Sequence, residues 1–331
     1  MILKTKIIIF LLILAGFGGG ILVSNFYTPN SNFFCDDSKF RYINKELACD
    51  GGNYTIAKHG YLDLKNKIEQ LVRQKIEEGE VSNVSVYFRD LENGPTLGIN
   101  EHEKFVPASL LKIPTLLTYL RLAEEDPKLL DEKVGFRVEG NDPALKQSFI
   151  PKETIQENTP YTIEELLRRM IVYSDNRAKE VLDNYLKKIS PDKDLFNETM
   201  QDLGIVNPQT IFTEAITVKS YASIFTQLYN VSFLETKEMS EKALTLLTNS
   251  DFNQGLVAGV PAGVEVAHKF GERFDLPGDK KQLHDCGIVY YPGNPYLICI
   301  MTRGSDFNEL TEVINQISKM FYEEVDSRRI E

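Results

Sequence analysis

Apolar residues recur at Leu62, Leu64, Ile68, Leu71, Val72 and Ile76, the spacing of a helix with one face turned to a core. The period then changes to two. Val84, Val86 and Phe88 alternate with polar neighbours and Glu92-Asn93-Gly94 is a turn signal, so "VSNVSVYFRDLENGPTLGINE" predicts a β-hairpin. The other end of the chain repeats these ingredients: strand-like runs in "GIVYYPGNPYLICIMTRG" meet at Pro292-Gly293-Asn294-Pro295, and the amphipathic segment "NELTEVINQISKMFYEEV" follows. Before them "VAHKFGERF" reads as extended, whereas "TIEELLRRMIVY", "RAKEVLDNYLKKI" and "TVKSYASIFTQLYN" are helical patterns. The order predicts a sheet completed by both ends of the chain, with a helical insertion between them.

The extreme N-terminus is different. Lys4 and Lys6 precede an uncharged, mostly apolar run from Ile7 to Val23, beyond which the chain turns polar. Lysines on the inner side predict a single-pass anchor within residues 1–27, its N-terminus cytoplasmic and the rest of the chain outside, or a secreted product if the run is a cleaved signal. Residues 28–60 read as an extracytoplasmic spacer, in which a bridge between Cys35 and Cys49 would close a loop of about 15 residues and contribute about 3 kcal/mol. Cys286 and Cys299 fall in strand-like runs and read as small buried hydrophobes. Residues 61–331 form the main domain. With 331 residues, 42% of them hydrophobic, the chain can bury a sizeable core, and a formal net charge of -11 argues against a nucleic-acid partner. The histidines show no ligand spacing, so neither a metal nor a cofactor is expected.

Candidate chemistry begins at "VPASLLKIP". If Ser109 opens a helix, Lys112 lies on the same face, and a lysine of lowered pKa can take the proton from a serine hydroxyl. Helix-start N–H groups without intrahelical partners can hold an oxyanion, so nucleophile, base and half an oxyanion hole fit in one turn. Pro114 is at odds with a helix that starts so early. Ser-x-x-Lys alone is a weak signal, and it occurs again at Ser190 to Lys193 in what reads as an ordinary loop. In "VYSDNRAKEVL", Ser174-Asp175-Asn176 reads either as a helix cap or as a site in which Ser174 shuttles a proton and Asn176 hydrogen-bonds a substrate amide or Lys112. Lys269 could lower the pKa values of the Ser109–Lys112 pair and attract an anionic substrate, while Gly271 could let a substrate approach the backbone. The plain alternative for Lys269 is a charge on an edge strand.

Taken together and in this order, Ser-x-x-Lys, Ser-Asp-Asn and Lys-x-Gly resemble the motif set of the penicillin-recognising serine enzymes, most closely the class A β-lactamase family. The resemblance spans about Leu62 to Val325 and includes the flanking "FVPASLLKIP", "YTIEELLRRMIVYSDN" and "VAHKFG". It implies an α/β (α+β) sandwich, with a mostly antiparallel five-stranded sheet, a helical subdomain and an active site in the cleft between them. Carried over, Ser109 is the acylated nucleophile, Lys112 its base partner, Ser174 and Asn176 the second wall and Lys269 the third. The oxyanion hole would use the backbone N–H groups of Ser109 and Glu272.

The chain departs from that pattern twice. The family usually places a hydroxyl residue after the third-motif lysine, where it helps bind the substrate carboxylate; here Phe270 stands instead. Losing a charged hydrogen bond of about 1.5–3 kcal/mol predicts carboxylate recognition weaker by roughly ten- to a hundredfold. Arg273 nearby reads as a surface charge paired with Glu or Asp, with compensation for the lost hydrogen bond as the alternative. Class A enzymes also carry a long loop with a glutamate that positions the deacylating water, and "LGIVNPQTIFTEAITVKSY" leaves little room for it, with Glu214 the candidate base. The expectation is a membrane-anchored extracytoplasmic serine hydrolase or acyl transferase. It would act through a Ser109 acyl-enzyme on a small acyl or cell-wall peptide substrate, β-lactams included, with weak deacylation. Two alternatives stay open: a true β-lactamase with a shortened loop, and a catalytically silent binding or scaffold protein on the same fold.

Overall fold

The computed structural model describes residues 40–44, 61–92, 94–135, 147–205, 216–276 and 280–328. The expected anchor, the spacer apart from 40–44, the Cys35–Cys49 pair and Glu214 lie outside the described residues.

Helix α1 (Leu62–Glu77) leads into β1 (Val81–Asp90) and β2 (Thr96–Ile99). A helical lobe follows: α2 (Lys112–Glu125), α3 (Ile163–Val172), α4 (Asn176–Ile189), α5 (Leu195–Asp202), α6 (Val218–Tyr229) and α7 (Lys237–Thr248). The chain then returns as β3 (Val266–Leu276), β4 (Lys280–Val289), β5 (Tyr296–Gly304) and α8 (Phe307–Arg328). The strands form one antiparallel sheet in the order β2-β1-β5-β4-β3, so both chain ends complete it as the pattern predicts. Its centre, β5, is buried on both faces. Tyr296, Ile298 and Ile300 join a core with α1 and α8, whereas Leu297, Cys299 and Met301 join the core of the helical lobe. That two-sided burial explains why "PYLICIMT" is continuously apolar rather than alternating.

One reading of the sequence is corrected. Cys286 and Cys299 are fully buried, as expected, but they are joined in a disulfide across β4 and β5. They are register partners in the ladder, a relation that becomes visible only once the strands are paired.

Side-chain caps start α3 to α7: Thr162 for α3, Asp175 for α4, Asp194 for α5, Thr217 for α6 and Thr236 for α7 each accept a backbone N–H. Of the spacer, residues 40–44 dock on this lobe. The Glu241 carboxylate accepts the N–H groups of Arg41, Tyr42 and Ile43, and Tyr290 donates its hydroxyl to the Tyr42 carbonyl.

Candidate active site

Ser109 lies in a 3-10 turn, Ala108–Leu111, and α2 begins only at Lys112. The α-helix therefore starts three residues later than expected. Pro114 falls in its first turn, where a missing N–H removes no intrahelical bond. Ala108, at φ 50°, holds a left-handed conformation just before Ser109, which a non-glycine residue adopts only when its surroundings impose it. The surroundings do so from two sides. Gln282 on β4 accepts the Val106 N–H at 3.0 Å, His284 Nε2 lies 3.0 Å from the Val106 carbonyl, and Tyr221 on α6 donates to the Leu110 carbonyl at 2.8 Å. Burial lowers the His284 pKa to about 4, so the ring is neutral and Nε2, facing a carbonyl, carries its proton.

Lys112 is the centre of the site. Its Nζ lies 3.1 Å from Ser109 Oγ, 2.6 Å from the Ser174 carbonyl, 3.0 Å from Ser174 Oγ and 2.6 Å from Asn176 Oδ1. At 1% exposure it is buried. Desolvation, reinforced by the neighbouring Lys269, pushes its pKa well below that of an ordinary lysine, against the opposing pull of Asp175 and Glu272. The two shortest contacts go to groups that can only accept, the Ser174 carbonyl and Asn176 Oδ1. A neutral amine has two N–H bonds, so those contacts use both and leave its lone pair for the Ser109 hydroxyl.

The Ser174-Asp175-Asn176 turn serves both of the purposes weighed for it. Asp175 caps α4 through the Arg177 N–H at 2.9 Å and also accepts the Ile155 N–H at 2.9 Å. Ser174, fully buried with φ 55°, thereby turns its hydroxyl and its carbonyl toward Lys112. Lys269 Nζ also reaches that hydroxyl, at 3.0 Å. Lys269 thus donates to the Ser174 oxygen, whose own proton stays available to another group, and Lys112 gains an N–H for that oxygen only once it has taken a proton.

Lys269 stands on β3, an edge strand, yet it is fully buried, and desolvation lowers its pKa to about 7 against the influence of Asp285 and Glu272. Gly271 has a role that the sequence did not suggest. A Cβ there would lie 2.9 Å from the Pro107 carbonyl oxygen and 3.1 Å from the Leu110 nitrogen, so the glycine admits the Ser109 turn, whatever it does for substrate. Phe270 is buried, stacking on Phe252 with ring centroids 4.2 Å apart and meeting Phe149 edge-on at 5.7 Å. Glu272 follows, and its carboxylate accepts the N–H groups of Ser148 at 2.9 Å and Phe149 at 3.2 Å. Arg273 is exposed, as expected.

The structure thus brings Ser109, Lys112, Ser174, Asn176 and Lys269 together, with Gly271 against the same turn. Sequence reasoning missed Gln147, whose Nε2 donates at 3.0 Å to the Ser174 carbonyl that Lys112 also uses. It missed as well the buried His268–Asp285 contact of 2.8 Å beside Lys269. Nothing in the local sequence marks Gln147. Alternation in "VAHKFG" could have placed His268 opposite Lys269 on the strand.

The chain is 23% identical over 281 residues to the extended-spectrum beta-lactamase PER-1 of Pseudomonas aeruginosa, covering 78% of this chain and 86% of that protein. Among solved structures it resembles PBP-A at a TM-score of 0.65 and 24% identity, over 82% of this chain and 100% of PBP-A. A class A beta-lactamase from Mycobacterium abscessus matches at a TM-score of 0.63 and 20% identity, over 80% and 99% of the two chains. At these identities the structural likeness speaks for the fold alone. A family model described as the beta-lactamase enzyme family matches residues 63–325, well over half of the sequence, and the chain belongs to that family.

Proposed function

We propose that the protein is an active-site serine hydrolase or acyl transferase that works through an acyl-enzyme on Ser109. The observation that carries this reading is the 3.1 Å contact of Ser109 Oγ with a buried lysine whose N–H groups are engaged elsewhere. Lys112 takes the hydroxyl proton as Oγ bonds to the acyl carbon, and the N–H groups of Ser109 and Glu272 receive the developing oxyanion. The bond to the leaving group breaks, and the leaving group takes a proton delivered through the Ser174 hydroxyl. Water then hydrolyses the ester on Ser109, or another nucleophile takes the acyl group. This set also disfavours a silent scaffold, because burying two lysines against one serine costs stability that a scaffold has no reason to bear.

Deacylation is slow in this reading. Among the described residues, neither Asp175 nor Glu272 has a carboxylate contact with Ser109; both hold backbone N–H groups instead. Candidate substrates are small acyl compounds or cell-wall peptides. A mutant of PBP-A has been solved as an acyl-enzyme with penicillin G, which makes a penicillin a reasonable probe. We place the catalytic domain outside the cell on an N-terminal anchor, a placement supported by the lysine-flanked apolar run and by the Cys286–Cys299 disulfide, which suits an oxidising compartment. No helix among the described residues is long and apolar enough to cross a membrane.

Intact-mass spectrometry after incubation with a fluorescent penicillin tests the reading. A Ser109-dependent adduct that forms slowly and persists for hours is expected. Rapid turnover of the drug would contradict slow deacylation. Absence of any adduct, with a fluorophosphonate as well as the penicillin, would contradict the acyl-enzyme itself.

A further inference from the structure

Lys269 was expected to attract an anionic substrate, and its surroundings argue the opposite. Its Nζ donates at 3.0 Å to Ser174 Oγ and at 3.0 Å to the Phe270 carbonyl, and it lies 4.2 Å from the centroid of the Phe270 ring. An ammonium has three N–H bonds, so at most one remains for a ligand. The next side chains along the strand do not supplement it. Phe270 carries no donor, and Glu272 is a carboxylate at 8% exposure, pinned by the Ser148 and Phe149 N–H groups.

We propose that the acyl donor presents an uncharged group beside Lys269, an ester or amide rather than a carboxylate, and that Glu272 determines this specificity. The inference rests on the acyl-enzyme reading above and adds the charge class of the substrate. The segment 147–149 forms a strap between the two walls of the cleft, from the Ser174 carbonyl through Gln147 to the Glu272 carboxylate. Its two backbone donors, which could otherwise have met an anion, are used by Glu272. The rim is apolar at this point: Phe149 packs on Phe252 and Phe270, and Ile150 beside it is 85% exposed.

The charges nearby point the same way. Asp175 and Asp285 are buried carboxylates on the flanking turn and on β4, and Asp285 is paired with His268. Lys112 is held toward its neutral form, and Lys269 titrates at about 7, so near neutral pH the two lysines together carry little positive charge. Glu272 acts electrostatically on both of them. Arg273 lies further along the strand, exposed, and Lys179, which also lowers the Lys112 pKa, is paired with Asp183. An incoming carboxylate would meet more negative charge than positive, with few free donors to replace its water.

A matched pair of aryl esters of phenylacetylglycine tests the proposal, one with a carboxylate on the phenol ring and the other with the same carboxyl as its methyl ester. In each case Ser109 Oγ displaces the phenol: the ester C–O bond breaks, the phenolate takes the proton first held by Lys112, and the acyl group remains on Ser109. Acylation rate constants are read by intact mass at low ionic strength and divided by the hydroxide-catalysed rate of each ester, which removes the difference in leaving-group reactivity. The neutral ester is expected to react at least about tenfold faster. That ratio should fall toward one in Glu272→Gln but persist in Gln147→Leu, which loosens the strap without altering charge. Faster reaction of the carboxylate, a ratio unmoved by Glu272→Gln, or no acylation by either ester while a fluorophosphonate labels Ser109 would each overturn the inference and leave the acyl-enzyme reading standing. Failure of the fluorophosphonate to label Ser109 would remove both.

Discussion

Replacing Gly271 by alanine tests how Ser109 is positioned. The added Cβ would stand 2.9 Å from the Pro107 carbonyl oxygen, 3.1 Å from the Leu110 nitrogen and 2.9 Å from Leu110 Cγ. The side-chain atom can rotate away. The two backbone atoms cannot, because they belong to the turn that carries Ser109 and that turn is held by Gln282, His284 and Tyr221. Restoring ordinary contact, at 3.4 Å or more, requires the strand and the turn to separate by about 0.5 Å. Overpacking of this kind costs about 1–3 kcal/mol. A misplacement of 1 Å can cost about a hundredfold in rate, so about tenfold is expected for half that distance. Urea unfolding and the rate of Ser109 labelling by a fluorophosphonate read the two effects separately. Wild-type labelling by the alanine variant would refute the positioning role of Gly271, and wild-type stability would refute the close contact itself.

Three further outcomes concern Lys269, the disulfide and Glu241. Lys269 has a folded pKa of about 7 against 10.5 for an ordinary lysine, so between those values the unfolded chain binds more protons and stability rises with pH. Relative to Lys269→Met, the wild type should gain about 2–3 kcal/mol between about pH 6 and pH 9 by urea unfolding; a flat difference would contradict the buried, depressed amine. The Cys286–Cys299 bridge closes a separation of 13 residues, so replacing both by alanine should cost about 3 kcal/mol under non-reducing conditions, whereas an unchanged unfolding midpoint would count against the bridge. Glu241→Ala frees three backbone N–H groups at Arg41, Tyr42 and Ile43, and trypsin should then cut after Arg41 at least several-fold faster; equal cutting would mean that the segment is not held by that carboxylate.

Much of this was legible in the sequence because period and punctuation are local. The helix from Leu62, the hairpin at Gly94, the strands about Pro292-Gly293 and the last helix all follow from spacing that a folded core must respect. The residues meeting at Lys112 were legible for another reason: three short motifs in one order resemble those of a known family. Position and burial were not legible. Whether Lys112 lies on or beneath the cleft surface depends on Ser174, Asn176 and Lys269, which are distant in sequence and converge only in the fold. The same holds for the Cys286–Cys299 pairing, which needs the β4–β5 register, and for the Gln147 strap.

The pH dependence of Ser109 acylation by a neutral fluorophosphonate, followed by intact mass in the wild type and in Lys112→Met, tests the central claim most directly. If Lys112 is the buried base, the wild-type rate rises through an apparent pKa well below the 10.5 of an ordinary lysine, and the variant loses about 10²–10⁴ in rate together with that titration. An inflection near 10.5, a variant that labels as fast as the wild type, or label found on a residue other than Ser109 would contradict it.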